Sequence, residues 1–595
     1  MDLAAAQQVL KTTFGYDEFR PGQKAVIEQV LAGQNTLAVM PTGGGKSLCY
    51  QIPALLFEGL TVVVSPLISL MKDQVDALND NGIAATFINS SMAYREINQR
   101  LQELRAGDYT LLYIAPERLD SPQFIQALGN LPIKLLAIDE AHCISQWGHD
   151  FRPSYLALST AIEQLPTQPQ VLALTATATE QVAQDICQRL QIAPDNEVNT
   201  GFARDNLDLS VVKDQDTDQY ILDYLAANAA EAGIIYASTR KEVTRIAALL
   251  KRHHIQATMY HAGLDDDVRR KNQEDFLYDR VQVMVATNAF GMGIDKSNVR
   301  FVIHAQVPGT LEAYYQEAGR AGRDGLPSQA ILIYRAKDIQ IQHFFIDESE
   351  MDDEHKHRSY HKLQLMTQYA NTQGCLQQFI LKYFGEASEP CGRCSNCRDD
   401  RAAQDITTAT QKVLSCVVRL HARFGKGVVA QVLCGANNQR IRDLNLSDLP
   451  TYGIMNGQRQ KSVTELIDFL TATGYLQTQG GQYPTLAVTK NGVAVLKGQT
   501  QVYRKTAQTV EQAAPENDAL FEQLRTLRHN LAEEQHVPPF VIFSDKTLHS
   551  MCERLPENDE AFLDVKGVGA SKLEKYGETF METIRAYAHQ PATAN

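Results

Sequence analysis

The sequence predicts an α/β fold in which two parallel-sheet domains follow one another and helical units complete the chain. Two observations carry that prediction. Short continuous apolar runs at residues 36–40, 61–66, 110–116, 134–142 and 171–178 each lead into an amphipathic stretch, the pattern of strands buried on both faces between covering helices. A second series begins after about residue 206, at 233–239, 257–263, 281–288, 299–305 and 330–334, and this rhythm stops near residue 340. The first two expected units are therefore 1–205 and 206–340.

Residues 341–405 read as helical and end in a cysteine cluster. From 406 to 500, helical periodicity gives way to a strand pair, GYLQTQ and TLAVTK, across the turn-forming GGQYP. The polar, Ala- and Gln-rich stretch 501–515 reads as a linker, and 516–595 as a last helical unit.

With 595 residues, 44% hydrophobic and 21% charged, the chain is long enough for about three to five domains, and disordered, collagen-like and membrane classes drop out. No run approaches the roughly 18 apolar residues of a spanning helix. The amino-terminal MDLAAAQQVLKTTFGY lacks the basic segment and apolar core of a signal peptide, so a cytoplasmic protein is expected.

A formal net charge of -14 by itself argues against a phosphate-binding surface. The charge is unevenly spread, however. Residues 406–500 hold 10 Lys and Arg against 4 Asp and Glu, a net +6, while 516–590 hold 8 against 14, a net -6. The acidic total averages a basic unit with acidic neighbours and does not exclude DNA. It predicts that 516–590 binds DNA more weakly than 406–500.

The strand at 36–40 runs into Pro41, Thr42, Gly43, Gly44, Gly45, Lys46 and Ser47, and then a helix. Three glycines let backbone amides turn toward a phosphate chain. Lys46 can reach the β and γ phosphates, and the Ser47 hydroxyl can ligate magnesium. The strict G-x-x-x-x-G-K-S pattern is not met, because Met40 holds the first glycine position. A later apolar strand delivers Asp139 and Glu140 at its end, where one carboxylate can hold the metal and the other can act as base on the attacking water. An acidic pair in that place is often only a solvated loop; the phosphate loop upstream favours the hydrolytic reading.

Six of the ten cysteines are solitary, while Cys391, Cys394 and Cys397 stand three apart with Cys375 upstream. In a reducing compartment the pattern C-x15-C-x2-C-x2-C suggests a metal, not disulfides. Four thiolates close a tetrahedral zinc site with no open position for water, so the expected role is structural; an iron–sulfur cluster is the alternative.

The segments 41–47, Asp-Glu-Ala-His (139–142), Thr-Ala-Thr (175–177), VATNAFGMGID (285–295) and YQEAGRAGRDG (315–325) resemble, in chain order, the motifs of superfamily 2 helicases. FRPGQ (19–23), SQWGHDFRP (145–153) and the cysteine segment together resemble the RecQ family of DNA helicases over essentially the whole chain. That resemblance implies two tandem RecA-like domains, a helical zinc-binding subdomain, a winged helix and a small all-helical helicase and RNase D C-terminal (HRDC) domain.

It also implies ATP, magnesium and zinc as cofactors, with Ser47 and Asp139 as the magnesium ligands. The activity implied is 3′ to 5′ translocation on single-stranded DNA that opens duplex or branched DNA in recombination, replication and repair, including the SOS response. Single-strand binding protein and other recombination proteins are the implied protein partners, the nucleoid is the implied location, and no membrane is involved.

The resemblance places Arg320 and Arg323 across the cleft, with Arg323 as the finger at the γ phosphate and Arg320 as a phosphate or DNA-coupling partner. Tyr16, Arg20 and Gln23 match positions that read adenine. The single tryptophan, Trp147, has His149, Phe151 and Arg152 as neighbours, and a lone Trp is as often a core anchor as a base-stacking platform. The family's aromatic-rich loop favours stacking, so Trp147, Phe151 and Arg152 are expected to contact DNA.

Leu376 and Gln377 stand where many relatives carry arginines. In the winged helix, Tyr483 at the short hairpin tip is either a strand-separating wedge or a plain turn residue. The turn 566–569 (KGVG) offers amides to a phosphate or forms a tight helix corner. An RNA helicase or a catalytically inert DNA-binding scaffold are the competing functions. ATPase stimulation by DNA against RNA separates the first, and any DNA-stimulated turnover eliminates the second.

Overall fold

The computed structural model describes residues 2–66, 68–89, 92–148, 152–213, 215–291, 296–401, 403–479, 484–505 and 519–588. Seven parallel strands form the first sheet: β1 (Thr36–Val39), β2 (Leu60–Val64), β3 (Ala85–Ile88), β4 (Leu111–Ile114), β5 (Ile133–Ile138), β6 (Gln170–Thr175) and β7 (Glu197–Asn199), in the order β3-β4-β2-β5-β6-β1-β7. Successive residues face opposite ways. Leu37 and Val39 pack with Val62, Val64 and Ile138 on one side, and Ala38 and Met40 with Val63, Tyr113 and Leu135 on the other. Both faces are therefore core, which is why these strands are continuously apolar.

The second sheet has six parallel strands, β8 (Leu207–Lys213), β9 (Ala232–Tyr236), β10 (Ala257–Tyr260), β11 (Val283–Ala286), β12 (Val299–His304) and β13 (Ser328–Tyr334), ordered β10-β11-β9-β12-β13-β8. The strands not foreseen from sequence, β3, β7 and β8, all lie at sheet edges. β8 alternates buried and half-buried positions (LDLSVVK), and β7 is only three residues long. An edge needs no unbroken apolar run, so the signal used to find the central strands is absent there.

Beyond the sheets, helices Asp353–Asn371 and Leu376–Tyr383 carry the cysteine cluster. The next unit packs helices Thr407–Arg419, Lys426–Leu433 and Gln460–Ala472 around one core with the antiparallel pair β15 (Leu476–Gln479) and β16 (Thr485–Val488). It is closed by β14 (Ala403–Asp405) pairing with β17 (Tyr503–Lys505), so a strand occupies the start of the stretch read as linker. Gln373 clips this pair to the cysteine subdomain: its Oε1 accepts from Lys505 N at 3.1 Å. The hairpin tip with Tyr483 lies outside the described residues, as does the remainder of the linker.

The last unit is helical, around Leu524, Phe543, Phe562 and Phe580. Its turn at 566–569 is spent on a protein contact, because Gly567 N donates to Gly15 O at 3.1 Å. Gly15 ends helix Leu3–Phe14 at φ 71, and a Cβ there would lie 2.7 Å from the Val568 carbonyl carbon. Among the described residues no helix is long and apolar enough to cross a membrane.

Candidate active site

Strand order decides what meets. β1, β6 and β5 are neighbours, so the loop after β1, the Thr175–Thr177 segment after β6 and the acidic pair after β5 emerge side by side at the carboxyl edge. In the loop, Gly43 (φ 81) and Gly45 (φ 78) take left-handed conformations that favour glycine. A side chain at Gly43 would press on the Arg323 backbone at 3.1 Å, and one at Gly45 on Gln23. Met40, at the departure from the strict pattern, is the last buried residue of its face and packs on Cys49.

Lys46 is half-buried, with Nζ donating to the carbonyls of Met40 (3.3 Å) and Pro41 (3.4 Å). Burial lowers its pKa, while Glu140 and Asp139 pull it back up. Asp139 N continues the sheet by donating to Val64 O (2.9 Å), and Tyr155 OH donates to Asp139 O at 3.1 Å. Glu140 holds a left-handed φ of 49, which turns the chain into the loop. His142 Nδ1 lies 3.3 Å from Glu140 Oε2 and 3.0 Å from Thr175 Oγ1, which itself accepts from Thr177 N. The acidic pair is thus wired to the Thr-Ala-Thr segment. Glu140 Oε2 is buried, and beyond that His142 contact it accepts no hydrogen bond among the described residues.

From the second domain, Arg320 is buried with Nη1 donating to Gly291 O. Arg323, Arg320, Lys46, Ser47, Asp139 and Glu140 line one cleft of about 790 Å³. Tyr16, Arg20, Gln23, Thr42, Gly43 and Gly45 line it too, so the sequence-predicted nucleotide residues converge. Gly44 turns the loop, its N donating to Pro41 O (2.9 Å). Side-chain donors of Arg20 and Gln23 face the loop: Arg20 Nη1 donates to Gly43 O and Gln23 Nε2 to Gly45 O (2.9 Å), while Gln23 Oε1 accepts from Arg20 N (2.8 Å). These residues brace the phosphate loop; Gln23 is buried, whereas Tyr16, at 40%, and Arg20 are exposed.

Two contributors escaped the sequence reading. Arg204, between the domains, donates to Thr42 O (2.5 Å) and to the carbonyls of Gly319 (3.3 Å), Ala321 (3.0 Å) and Gly322 (2.9 Å). Ser544, Lys546 and Thr547 of the last unit also line the cleft, beside Lys566 of the turn already singled out in the sequence. Neither belongs to a recurring pattern; only the fold brings them there.

The Sγ atoms of Cys375, Cys391, Cys394 and Cys397 all lie within 4.8 Å of one another. Backbone N–H groups point at them: Gln378 (3.4 Å) and Cys391 (3.2 Å) donate to Cys375 Sγ, and Cys394 (3.3 Å) to Cys391 Sγ. Burial pushes the Cys375 thiol up, but those two donors and the neighbouring thiols bring it down to about 7. A four-thiolate set stabilised by amide donors fits zinc. Leu376 is buried, and Gln377 accepts from Arg393, which also donates to Arg204 O at 2.7 Å. The cysteine subdomain therefore grips the connector between the sheets.

Of the aromatic segment, Phe151 and His149 lie outside the described residues. Trp147 is 40% exposed, as a stacking platform requires, and not a core anchor. Arg152 precedes helix Pro153–Gln164 and its Nη1 donates to Pro66 O at 3.3 Å.

Comparison with known proteins agrees along the chain. Models match for the DEAD/DEAH box helicase (residues 20–186), the helicase conserved C-terminal domain (216–325), RecQ zinc-binding (336–398), the RQC domain (400–513) and the HRDC domain (517–584). ATP-dependent DNA helicase RecQ of Bacillus subtilis is 53% identical over 98% of this chain and 99% of its own length. The Haemophilus influenzae protein of that name is 40% identical over 99% and 97%. Among solved structures, Mycobacterium smegmatis helicase Lhr bound to ssDNA and AMP-PNP aligns over 96% of this chain and 72% of that one, with a TM-score of 0.47 and 16% identity.

Proposed function

The chain belongs to the RecQ family of ATP-dependent DNA helicases, and on that premise we propose how its own residues divide the work. It is an ATP-dependent DNA helicase that works on DNA with ATP and a divalent metal. The loop amides of 42–47 cradle the phosphates, and Lys46 exchanges its two carbonyl partners for the β and γ phosphate oxygens. Ser47 and Asp139 would hold magnesium, which would offset charge on the phosphates. Glu140, whose Oε2 lies 3.3 Å from His142 Nδ1, orients the attacking water and takes its proton. Arg323 and Arg320 stabilise the charge that develops on the γ phosphate, and Tyr16 stacks on the adenine, with Arg20 and Gln23 beside it.

The observation that carries this reading is the shared cleft, with base and phosphate groups from the first domain and arginines from the second. Hydrolysis then depends on domain closure, and closure on the DNA-bound state. Trp147, Phe151 and Arg152 supply the single-strand contact, the basic 406–500 unit holds duplex backbone, and translocation runs 3′ to 5′ on duplex or branched DNA during recombination, replication and repair. Zinc in the four-thiolate site is structural. Single-strand binding protein and the nucleoid are the natural partner and location of such an activity.

Strand displacement on 3′-tailed, 5′-tailed, forked and four-way DNA tests this. Displacement is expected with ATP, magnesium and a 3′ tail. Glu140→Gln should retain ATP binding and lose about 10²- to 10⁴-fold in hydrolysis, the range for removal of a general base. Hydrolysis by Glu140→Gln at the original rate with single-stranded DNA present would overturn the assignment.

A further inference from the structure

The exposed face of Trp147 is already occupied. The Arg358 guanidinium carbon lies 4.6 Å from the centre of the Trp147 ring. Arg358 comes from helix Asp353–Asn371 of the zinc subdomain, not from the domain that carries the tryptophan. One turn on, Lys362 donates to the Trp147 backbone carbonyl at 3.3 Å. Lys362 is itself held by Glu312 (3.0 Å), whose Oε1 also accepts from Tyr383 OH (2.6 Å).

The two cations are not equally fixed. Lys362 is anchored through a buried carboxylate, whereas among the described residues Arg358 has the exposed Glu354, 3.5 Å away, the charge of the exposed Asp352 nearby, and a buried Nε without a hydrogen-bond acceptor. The ring contact is its main tie, and it is one that a flat π surface can replace.

We propose that Arg358 is a positioning residue that occupies the base-stacking face of Trp147 when DNA is absent. An arriving base displaces the guanidinium, which then pairs with a strand phosphate. The exchange conserves interactions, since the ring trades a cation for a base and the cation trades a ring for an anion. Trp147 lies seven residues after Glu140, and that segment includes His142 with its contacts to Glu140 and Thr175. Release of the ring therefore loosens the loop that ends at Glu140, which stays tied to the zinc subdomain through Lys362. Arg358 sets how far hydrolysis is held back without DNA. The inference rests on Trp147 being a base contact.

Trp147 is the only tryptophan, so its fluorescence reports the exchange directly in the full-length protein. Arg358→Ala is expected to raise acrylamide quenching of DNA-free protein and the DNA-independent ATPase rate, each roughly two- to five-fold, the factor a cation–π contact of an exposed ring supports. The emission change on adding a thymidine oligonucleotide should shrink correspondingly. Arg358→Lys, which keeps the charge, should fall between wild type and Arg358→Ala in all three readouts, and it serves alone if the alanine variant loses its zinc. Quenching and DNA-free hydrolysis at wild-type values in Arg358→Lys and Arg358→Ala would overturn the proposal while leaving the base contact intact. Emission unmoved by DNA in wild type, with binding verified by anisotropy of a labelled oligonucleotide, would instead remove the base contact and the proposal with it.

Discussion

Arg204 Nη1 donates across the domain boundary to the Thr42 carbonyl at 2.5 Å and to Gly319 O, while Nη2 holds the carbonyls of Ala321 and Gly322 in the arginine segment. One guanidinium thus ties the phosphate loop to the segment that carries Arg320 and Arg323. It is largely buried, which lowers its pKa, with Tyr315 and Asp324 supporting the charge and Arg323 and Arg20 opposing it. A charge in that position is tolerated because four carbonyls share it.

Arg204→Ala leaves those carbonyls unpaired in the closed form, at about 1–3 kcal/mol for a buried orphan group. DNA-stimulated kcat is expected to fall roughly 10- to 100-fold, which corresponds to about 1.4–2.7 kcal/mol on the barrier. KM for ATP should move only a few-fold, since the nucleotide-lining groups remain. Arg204→Lys should recover little, because a point charge cannot serve both sides of the cleft as a planar fork does. Steady-state ATPase with saturating single-stranded DNA reads both parameters. Equal kcat in Arg204→Lys and wild type would show that charge, and not the fork, is what matters.

The motifs after β1, β5 and β6 were legible in sequence because each needs a particular residue type at a strand end: glycine at positive φ, a carboxylate, a hydroxyl. The cysteine set was legible for the same reason, since the metal fixes both spacing and chemistry. Arg204 was not, because a single arginine between domains has no period and acquires its four partners only when the domains pack. Lys546 reaches the cleft from the far end of the chain for a similar reason. Arg20 and Gln23 were found by resemblance alone. Their side-chain donors to the loop carbonyls at Gly43 and Gly45 add a bracing contact that no spacing rule contains.

Metal removal should propagate beyond the zinc subdomain. Arg393 lies between Cys391 and Cys394 and donates to Arg204 O, so the metal loop supports the connector that joins the two sheets. Cys391→Ser is expected to bind almost no zinc, against about one ion per wild-type chain by atomic absorption. Loss of the metal removes much of the folding free energy of such a subdomain, so protease should cut within 375–400, and DNA-stimulated ATP turnover should fall with it. Stoichiometric iron in place of zinc would identify the site as a cluster. Full ATPase in a zinc-free variant would show that the connector does not depend on the metal loop.

The last unit, which contributes Ser544, Lys546, Thr547 and Lys566 to the cleft lining, is held to the two sheet domains through polar contacts. Arg280 Nε pairs with Glu533 at 2.9 Å, Tyr278 OH donates to His536 O at 2.8 Å, Arg525 donates to Ala230 O at 3.0 Å, and Lys575 donates to Asp80 O at 3.1 Å. An interface of this kind is reversible, because exposed ion pairs contribute only about 0.2–1 kcal/mol each. Its acidic surplus is consistent with a role on the protein itself more than on DNA, while Lys546 and Lys566 put positive charge at the cleft mouth. Glu533→Arg places like charges together and should shift the domain toward an undocked form. A fluorescent ADP analogue should then associate and dissociate roughly two- to five-fold faster, in keeping with a lost exposed pair. Small-angle scattering should show a larger radius of gyration. Adding Arg280→Glu to that variant restores opposite charges and should return both measurements toward wild type. If the double variant exchanged nucleotide as fast as Glu533→Arg alone, the pair would not be what holds the domain over the cleft.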